Sequence, residues 1–407
     1  MKSFREFIIE AGHLRHLEDE VLYGGVKGAR RAIESLRATR DRLTGASNDN
    51  NLSITCKFDG APAIFCGIDP SDSKFFVAKK SIFNKDPEVY KTPQDINSKI
   101  ESGDLNNKLQ IALKELSKLG IQGIIQGDIM FTSEMLKKER IQGKDYITFH
   151  PNTIVYAIPT DSKLASQISK ASIGVVFHTS YKGKLGSLTP VAGVNTSKMK
   201  QIPSVWWITA DMSNPGSKDK LTPEQLKEVN EALSEAGKIF QKISSTTLKA
   251  IEMDPDLARD LETFNNTKVR KGEEIGDPVI HVNQLLAWMK ARFDNEEKDK
   301  KSSKGKEAVS ARRKARMAFF SSQNTENLIL IYRLQGALVK AKRLLISKLD
   351  KQSDLNTFLK TKDGYQNAGQ EGFVVANKLT GNTVKLVDRM SFSKANFSAD
   401  VQKGWQR

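Results

Sequence analysis

Several things are scarce in this chain of 407 residues, and each scarcity excludes something. Only two cysteines are present, Cys56 and Cys66. A thiolate metal site needs more of them or a matching histidine pair, so these two read as small buried hydrophobes in a reducing compartment. Histidines number five. His13 and His16 are spaced like helical neighbours but have no third ligand nearby. No apolar run reaches the ~20 residues that cross a bilayer, so no membrane association is expected. The N-terminus "MKSFREFIIEAGHLRHLEDE" carries acids and lacks the uncharged core of a signal peptide, which points to the cytoplasm. Internal repeats are absent.

Positive charge is abundant instead. Lys and Arg number 64 against 48 acids, a net charge of +16. A surplus of that size suits a polyanionic partner, because neutralising phosphates releases their counterions. The densest run is "KDKKSSKGKEAVSARRKAR" (298–316), with nine Lys/Arg against two acids. It reads as a mobile or surface segment, either a solvated linker or a phosphate contact. No aromatic precedes Phe319 and Phe320, so base stacking is not indicated there.

The hydrophobic pattern changes period along the chain. Residues 1–45 read as helix, with Ile33, Leu36 and Leu43 near one face and Gly45 as the stop. Residues 51–92 read as strands around the turn "DPSDS". Residues 105–119 return to helix. Apolar strand-like runs follow at 123–131, 152–158 and 171–181. Thr222, Pro223 and Gln225 spell a helix start, and the chain then reads as helical to about 350. Strand signals resume at "EGFVVAN" (371–377) and "TVKLVD" (383–388). The expected organisation is α+β: an N-terminal helical segment (1–50), a β-rich domain (51–210 and 351–407), and a basic helical insertion (211–350). A monomer is expected.

The candidate chemistry lies in "CKFDGAPAIFCG" (56–67), which places Lys57 between two strands with Asp59 and Gly60 in a tight turn. A lysine becomes a nucleophile when burial or neighbouring cations lower its pKa. Lys79, Lys80 and Lys385 on other expected strands could converge on it.

Lys57-Phe58-Asp59-Gly60 resembles the K-x-D-G motif of the covalent nucleotidyltransferases, the polynucleotide ligases and messenger-RNA capping enzymes. Five later segments resemble that family's remaining motifs in the same order: "FVAKKS" (76–81), "QGDIMF" (126–131), "GVVFHTSY" (174–181), "EGFVV" (371–375) and "TVKLVD" (383–388). The whole chain also resembles ligase-like proteins of large tailed bacteriophages, with "HLED" and "FHPNTIVYAIP", which would place it in a host cytoplasm. The resemblance implies an ATP-grasp-like nucleotidyltransferase domain of antiparallel sheets with the nucleotide between them. It implies that Lys57 forms a lysyl-AMP adduct and that Lys385, with Lys79 or Lys80, grips the phosphate. Asp128 would hold the ribose, Phe177 would stack on the base, and Glu371 would serve Mg²⁺. Thr55, Cys56, Asp59 and Gly60 would complete the ATP site. The implied function is an ATP-dependent, RNA-ligase-like polynucleotide ligase acting on RNA or DNA ends or nicks. The alternatives are a non-catalytic nucleic-acid-binding protein on a decayed fold, and a guanylyltransferase.

The chain departs from the family at four places. Pro62 stands where nick-sealing DNA ligases often have arginine. Asp128 replaces a glutamate. Val387 takes the place of a second lysine, leaving Arg389 or Lys394 as substitutes. Only 19 residues follow Asp388, too few for the oligonucleotide-binding barrel of DNA ligases and capping enzymes. The helical insertion would clamp the strand instead.

Overall fold

The computed structural model describes residues 15–46, 51–213, 220–352, 354–377 and 379–405. The fold is α+β. A 3-10 turn at Leu17–Asp19 leads into α1 (Glu20–Tyr23) and α2 (Gly25–Thr44). Helix α2 buries Ile33, Leu36 and Leu43 and ends on Gly45 at φ 73°, as its spacing predicts. The rest of the expected N-terminal helix, 1–14, lies outside the described residues, His13 included.

Strands β1 (Leu52–Lys57), β2 (Ala63–Ile68) and β3 (Phe75–Ala78) follow, then α3 (Pro93–Lys99), α4 (Asp104–Leu116) and β4 (Ile124–Thr132). Next is a hairpin that the hydrophobic pattern did not reveal, β5 (Lys137–Ile141) and β6 (Lys144–Phe149). Strand β5 is "KKERI", charged at four of five positions, and a turn at Gln142 and Gly143 with positive φ at both makes it. β7 (Ile154–Pro159), α5 (Lys163–Lys170), β8 (Ile173–Lys182), β9 (Thr189–Ala192) and β10 (Val205–Thr209) complete this stretch.

Helices α6 (Pro223–Phe240), α7 (Ser245–Glu252), α8 (Pro255–Lys271), α9 (Pro278–Lys298), α10 (Ser303–Ala318) and α11 (Ser322–Leu349) then run consecutively. Helix α6 starts with the expected capping box between Thr222 and Gln225, a device that contributes about 1 kcal/mol. The chain returns through β11 (Asn356–Thr361), β12 (Gly364–Asn367), β13 (Gly372–Asn377), β14 (Thr383–Leu386) and α12 (Lys394–Phe397). The β11–β12 hairpin was also silent in the sequence pattern.

Three sheets result. One has the order β1-β13-β14, the second β10-β8-β4-β2-β3 with β9 on β8, and the third β12-β11-β7-β6-β5. All pairings are antiparallel except β10 with β8. The N-terminal segment, the insertion and the first sheet share one core. Leu22 and Leu36, Leu338 and Leu345, and Ile54 and Phe373 belong to one contiguous apolar cluster. A second core lies between the other face of β2, β4 and β8 and helix α4, with Ile64, Phe177 and Leu113 among its members.

The basic run at 298–316 lies on the surface, as expected, and takes a regular helical form. Most of it forms α10, against α9. Arg312 pairs with Glu296, Arg313 with Asp294, and Arg316 with Asp254 and Asp260. Among the described residues no helix is long and apolar enough to cross a membrane.

Candidate active site around Lys57

Strand alternation sorts the residues of β1. Ile54 and Cys56 point into the shared core, while Thr55 and Lys57 are half-exposed on the opposite face. The register carries this across the sheet. Thr55 stands opposite Val374, and Val374 opposite Lys385, so Thr55, Lys57 and Lys385 share one face. Cys56, Phe373 and Leu386 line up the same way on the core face. The Cys56 side chain therefore does not share a face with Lys57. Its thiol is buried and pushed well above its usual range by burial, and its N–H is spent on the carbonyl of Ala210 at 2.7 Å.

Lys57 stands opposite Gly372, which brings the preceding Glu371 alongside, and the Lys57 ammonium donates to Glu371 Oε1. The two partners differ in exposure: the Lys57 side chain is 41% accessible and that of Glu371 9%. Gly372 has φ 153°, and a Cβ there would collide with the Leu386 carbonyl, so only glycine lets β13 begin at this point. The Lys385 ammonium is held below its usual range, first by burial and then by the Lys57 cation, with Glu371 opposing. Two cations thus meet one buried carboxylate on one face, and an incoming anion would relieve their mutual repulsion.

Asp128 comes from β4 on the second sheet, opposite Ala63 on one side and Val176 on the other. Its carboxyl is pushed up to about 7 by burial; Lys57 pulls it down, and Glu371 and Asp59 push it further up. His178 Nε2 lies 3.6 Å from Asp128 Oδ2. Burial, with the Lys57 cation, holds that imidazole down to about 4, so it is neutral near pH 7. His178 is the site residue that sequence reading passed over in favour of its neighbour. Phe177 is fully buried in the second core, its ring 6.4 Å from that of Trp207. It is a packing residue and presents no face to a base. The alternation of β8 exposes His178 instead, but a register shift between Gln126 and Gly127 of β4 hid the pairing from the pattern.

Asp59 is a clamp and not a ligand-facing acid. Its carboxylate accepts from Asn152 Nδ2 at 2.7 Å, Thr153 N at 2.6 Å and Ile154 N at 2.8 Å. Burial pushes it up to about 6, Glu371 adds to that, and these three bonds oppose. Its own N–H donates to the Tyr156 hydroxyl at 2.8 Å. The "HPNTIVY" segment therefore fixes the turn after Lys57. Gly60 acts through its missing side chain: a Cβ would sit 2.7 Å from Asp128 Cβ and 2.9 Å from Met130 Sδ. This glycine lets the turn close onto β4, bringing the Lys57 and Asp128 strands together.

Lys79 follows β3 and is half-buried, while Lys80 opens a 3-10 turn and is exposed. Neither Val387 nor Arg389 supplies the second lysine of the fifth motif. Val387 is core, and Arg389 is buried against Asp19 and Glu18. The Lys394 side chain lies outside the described residues. "HLED" is a structural element. Burial pushes Glu18 up, but Lys342 and Arg389 outweigh it and hold its carboxyl well below the carboxylate range. His16 bridges through its backbone to Lys385, tying this buried layer to β14.

Among the described residues no group of three or more His, Cys, Asp or Glu side chains is arranged to hold a metal. Glu371 is a single carboxylate beside the Lys57 face. That fits Mg²⁺, which takes one or two protein carboxylates and completes its shell with water and phosphate oxygens.

A family model described as "Family of unknown function (DUF6267)" matches residues 11–402. The chain belongs to the DUF6267 family. No curated protein and no solved structure matches it. The match runs from the segment before "HLED" to the residues after α12, so the helical insertion is part of what the DUF6267 model describes.

Proposed function

We propose that this DUF6267 protein is an ATP-dependent polynucleotide ligase of the covalent nucleotidyltransferase type, closer to RNA ligases, acting in the cytoplasm as a monomer. One arrangement carries the reading: Lys57, Glu371 and Lys385 share a face of β1-β13-β14, and Asp128 and His178 approach it from β4 and β8.

The chemistry follows from the positions. Lys57 Nζ, its proton lost to solvent, attacks the α-phosphorus of ATP. A P–N bond forms, the Pα–O bond to pyrophosphate breaks, and pyrophosphate leaves. An oxygen of a 5′-phosphate then attacks the same phosphorus, the P–N bond breaks, and Lys57 recovers its proton. A 3′-hydroxyl attacks the 5′-phosphorus and loses its proton to solvent; the new O–P bond forms, the anhydride bond from that phosphorus to the AMP phosphate breaks, and AMP leaves. Positioning and charge neutralisation carry most of such a transfer. In this reading Lys385 neutralises the transferring phosphate, and Asp128 with His178 binds the ribose hydroxyls. Mg²⁺ at Glu371 would neutralise charge on the phosphate oxygens.

The test is labelling. Full-length protein, stripped of bound AMP, should retain label from α-labelled ATP and Mg²⁺, and Lys57→Ala should retain none. An unlabelled wild type would overturn the reading. Competition between ATP and GTP separates it from a guanylyltransferase. The replacement of the second lysine by buried Val387, and the engagement of Arg389 elsewhere, favour a second reading, a nucleic-acid-binding protein on a decayed fold. That reading requires salt-dependent binding with no adduct.

A further inference from the structure

Unpaired cations surround an exposed aromatic ring where two segments, far apart in the chain, pack together. The first leaves β3 through a 3-10 turn, Lys80–Phe83. The second is the end of β8 and its connection to β9. They touch at Gly186, where a Cβ would meet Pro87 Cγ at 3.2 Å, and at Tyr181, whose ring lies 5.5 Å from that of Phe83. Together "KKSIFNKDPE" (79–88) and "YKGKLGSL" (181–188) hold five lysines against two acids. Among the described residues, none of Lys79, Lys80, Lys85, Lys182 and Lys184 has an ion-pair partner. All but Lys79 are exposed. The arginines of α10 differ: Arg312, Arg313 and Arg316 are spent on acids.

Phe83 is 40% exposed. Its inner side is fixed. Phe65 stands nearly perpendicular to it, at 86° and 5.2 Å, over a closed apolar cluster with Phe76 and Leu188. Tyr181 is held in turn by its hydroxyl, which donates to Gln126 Oε1 at 2.7 Å. The ring is therefore set in place and open outward. An exposed π-face among unpaired cations suits a single strand, whose bases stack on the ring while its phosphates meet the lysines. In a duplex the base faces are already stacked on one another and offer Phe83 nothing. The position fits the candidate site. On β2 and β4, Phe65 stands opposite Gln126 and Ala63 opposite Asp128, so strand alternation puts Phe65, Gln126 and Asp128 on one face. Two residues along a strand separate Phe65 from the Asp128 row, about 7 Å.

We propose that this surface is a platform for single-stranded nucleic acid, with a base stacked on Phe83 and phosphates at Lys80, Lys85 and Lys184. The proposal rests on the nucleic-acid reading and is independent of chemistry at Lys57. The test uses the full-length Lys57→Ala chain, so adenylation cannot contribute. A fluorescent oligouridylate of about 12 nucleotides is titrated by anisotropy between about 50 and 200 mM salt. Phe83→Ala should weaken binding at least about 5-fold, the loss of one stacked base, with the salt slope unchanged. Phe83→Trp should restore it. Lys80→Gln with Lys184→Gln should instead flatten the salt slope, by about 0.7 for each phosphate no longer neutralised. All of these side chains are on the surface, so thermal midpoints should stay close to that of the parent chain. ATP is titrated in parallel. Binding of ATP weakened by Phe83→Ala while oligouridylate binding is untouched would assign the ring to the free nucleotide and overturn the proposal. Absence of saturable oligouridylate binding, or binding that every variant leaves unchanged, overturns it too. An absent Lys57 adduct would sink the ligase reading and leave this result standing.

Discussion

Two lysine–glutamate pairs flank Lys385, and they differ in how far they are closed to solvent. In the Lys342–Glu18 pair the side chains are 1% and 6% exposed, the contact is 2.7 Å, and Arg389 adds a second cation. In the Lys57–Glu371 pair the acid is similarly buried but the lysine is 41% open. Fully desolvated charges are locked because neither can leave without stranding the other. A half-open lysine can exchange its carboxylate for a phosphate at little cost. Lys385 stands between the pairs; its burial first, then the Lys57 and Lys342 cations, destabilise its ammonium, while Glu371 and Glu18 oppose them. The difference teaches that exposure, more than residue identity, separates a sealed pair from one open to solvent.

The predictions test that contrast, largest effect first. Lys57→Ala should abolish adduct labelling while lowering stability by only about 1 kcal/mol, measured by urea unfolding, because the pair is partly solvated. Lys342→Met should lower stability by about 3–5 kcal/mol by leaving Glu18 buried with less compensation. Pairing it with Glu18→Gln should recover most of that loss; no recovery would show that Lys342 acts by packing alone.

A pH series probes the Lys57 side further. The Asp128 carboxyl is raised to about 7 in the fold from an ordinary value near 4. The folded state therefore binds its proton more tightly, and stability falls as pH rises between about 4 and 7. Asp128→Asn should remove that fall. The variant should be more stable than wild type at pH 8, with the advantage fading toward pH 4, as read from thermal midpoints. His178, held down to about 4, contributes the opposite slope over about 4 to 6.5, so the wild-type-minus-variant difference is the quantity to follow. The smallest effect concerns α10. Lys304→Ala, Lys306→Ala and Lys314→Ala combined should flatten the salt dependence of oligonucleotide binding, by about 0.7–0.9 in slope for each phosphate no longer neutralised. Arg312→Ala with Arg313→Ala should change it less, because those arginines are paired with Glu296 and Asp294.

Much of the fold was legible in the chain. The stop at Gly45, the capping box at Thr222, the helical run to about 350 and the strands at 52–57, 124–132 and 372–377 follow from periodicity and local chemistry. The hairpins β5–β6 and β11–β12 did not, because their exposed faces are charged or polar and their pairing is non-local. Within the site, Lys57, Glu371, Lys385 and Asp128 were legible as candidates from order and type. Phe177 is core and presents no face to a base, and Asp59 and Cys56 were assigned to the ligand side when one is a clamp and the other core.

The sequence by itself determined which segments are helix or strand and which polar residues interrupt apolar runs, since those depend on neighbours a few positions away. Only the tertiary structure decided which face each residue takes and which acid meets which cation. Glu371 is 314 residues from Lys57 and Lys342 is 324 from Glu18. Sheet register and helix packing over such separations select which lysine stays open to solvent and which is sealed.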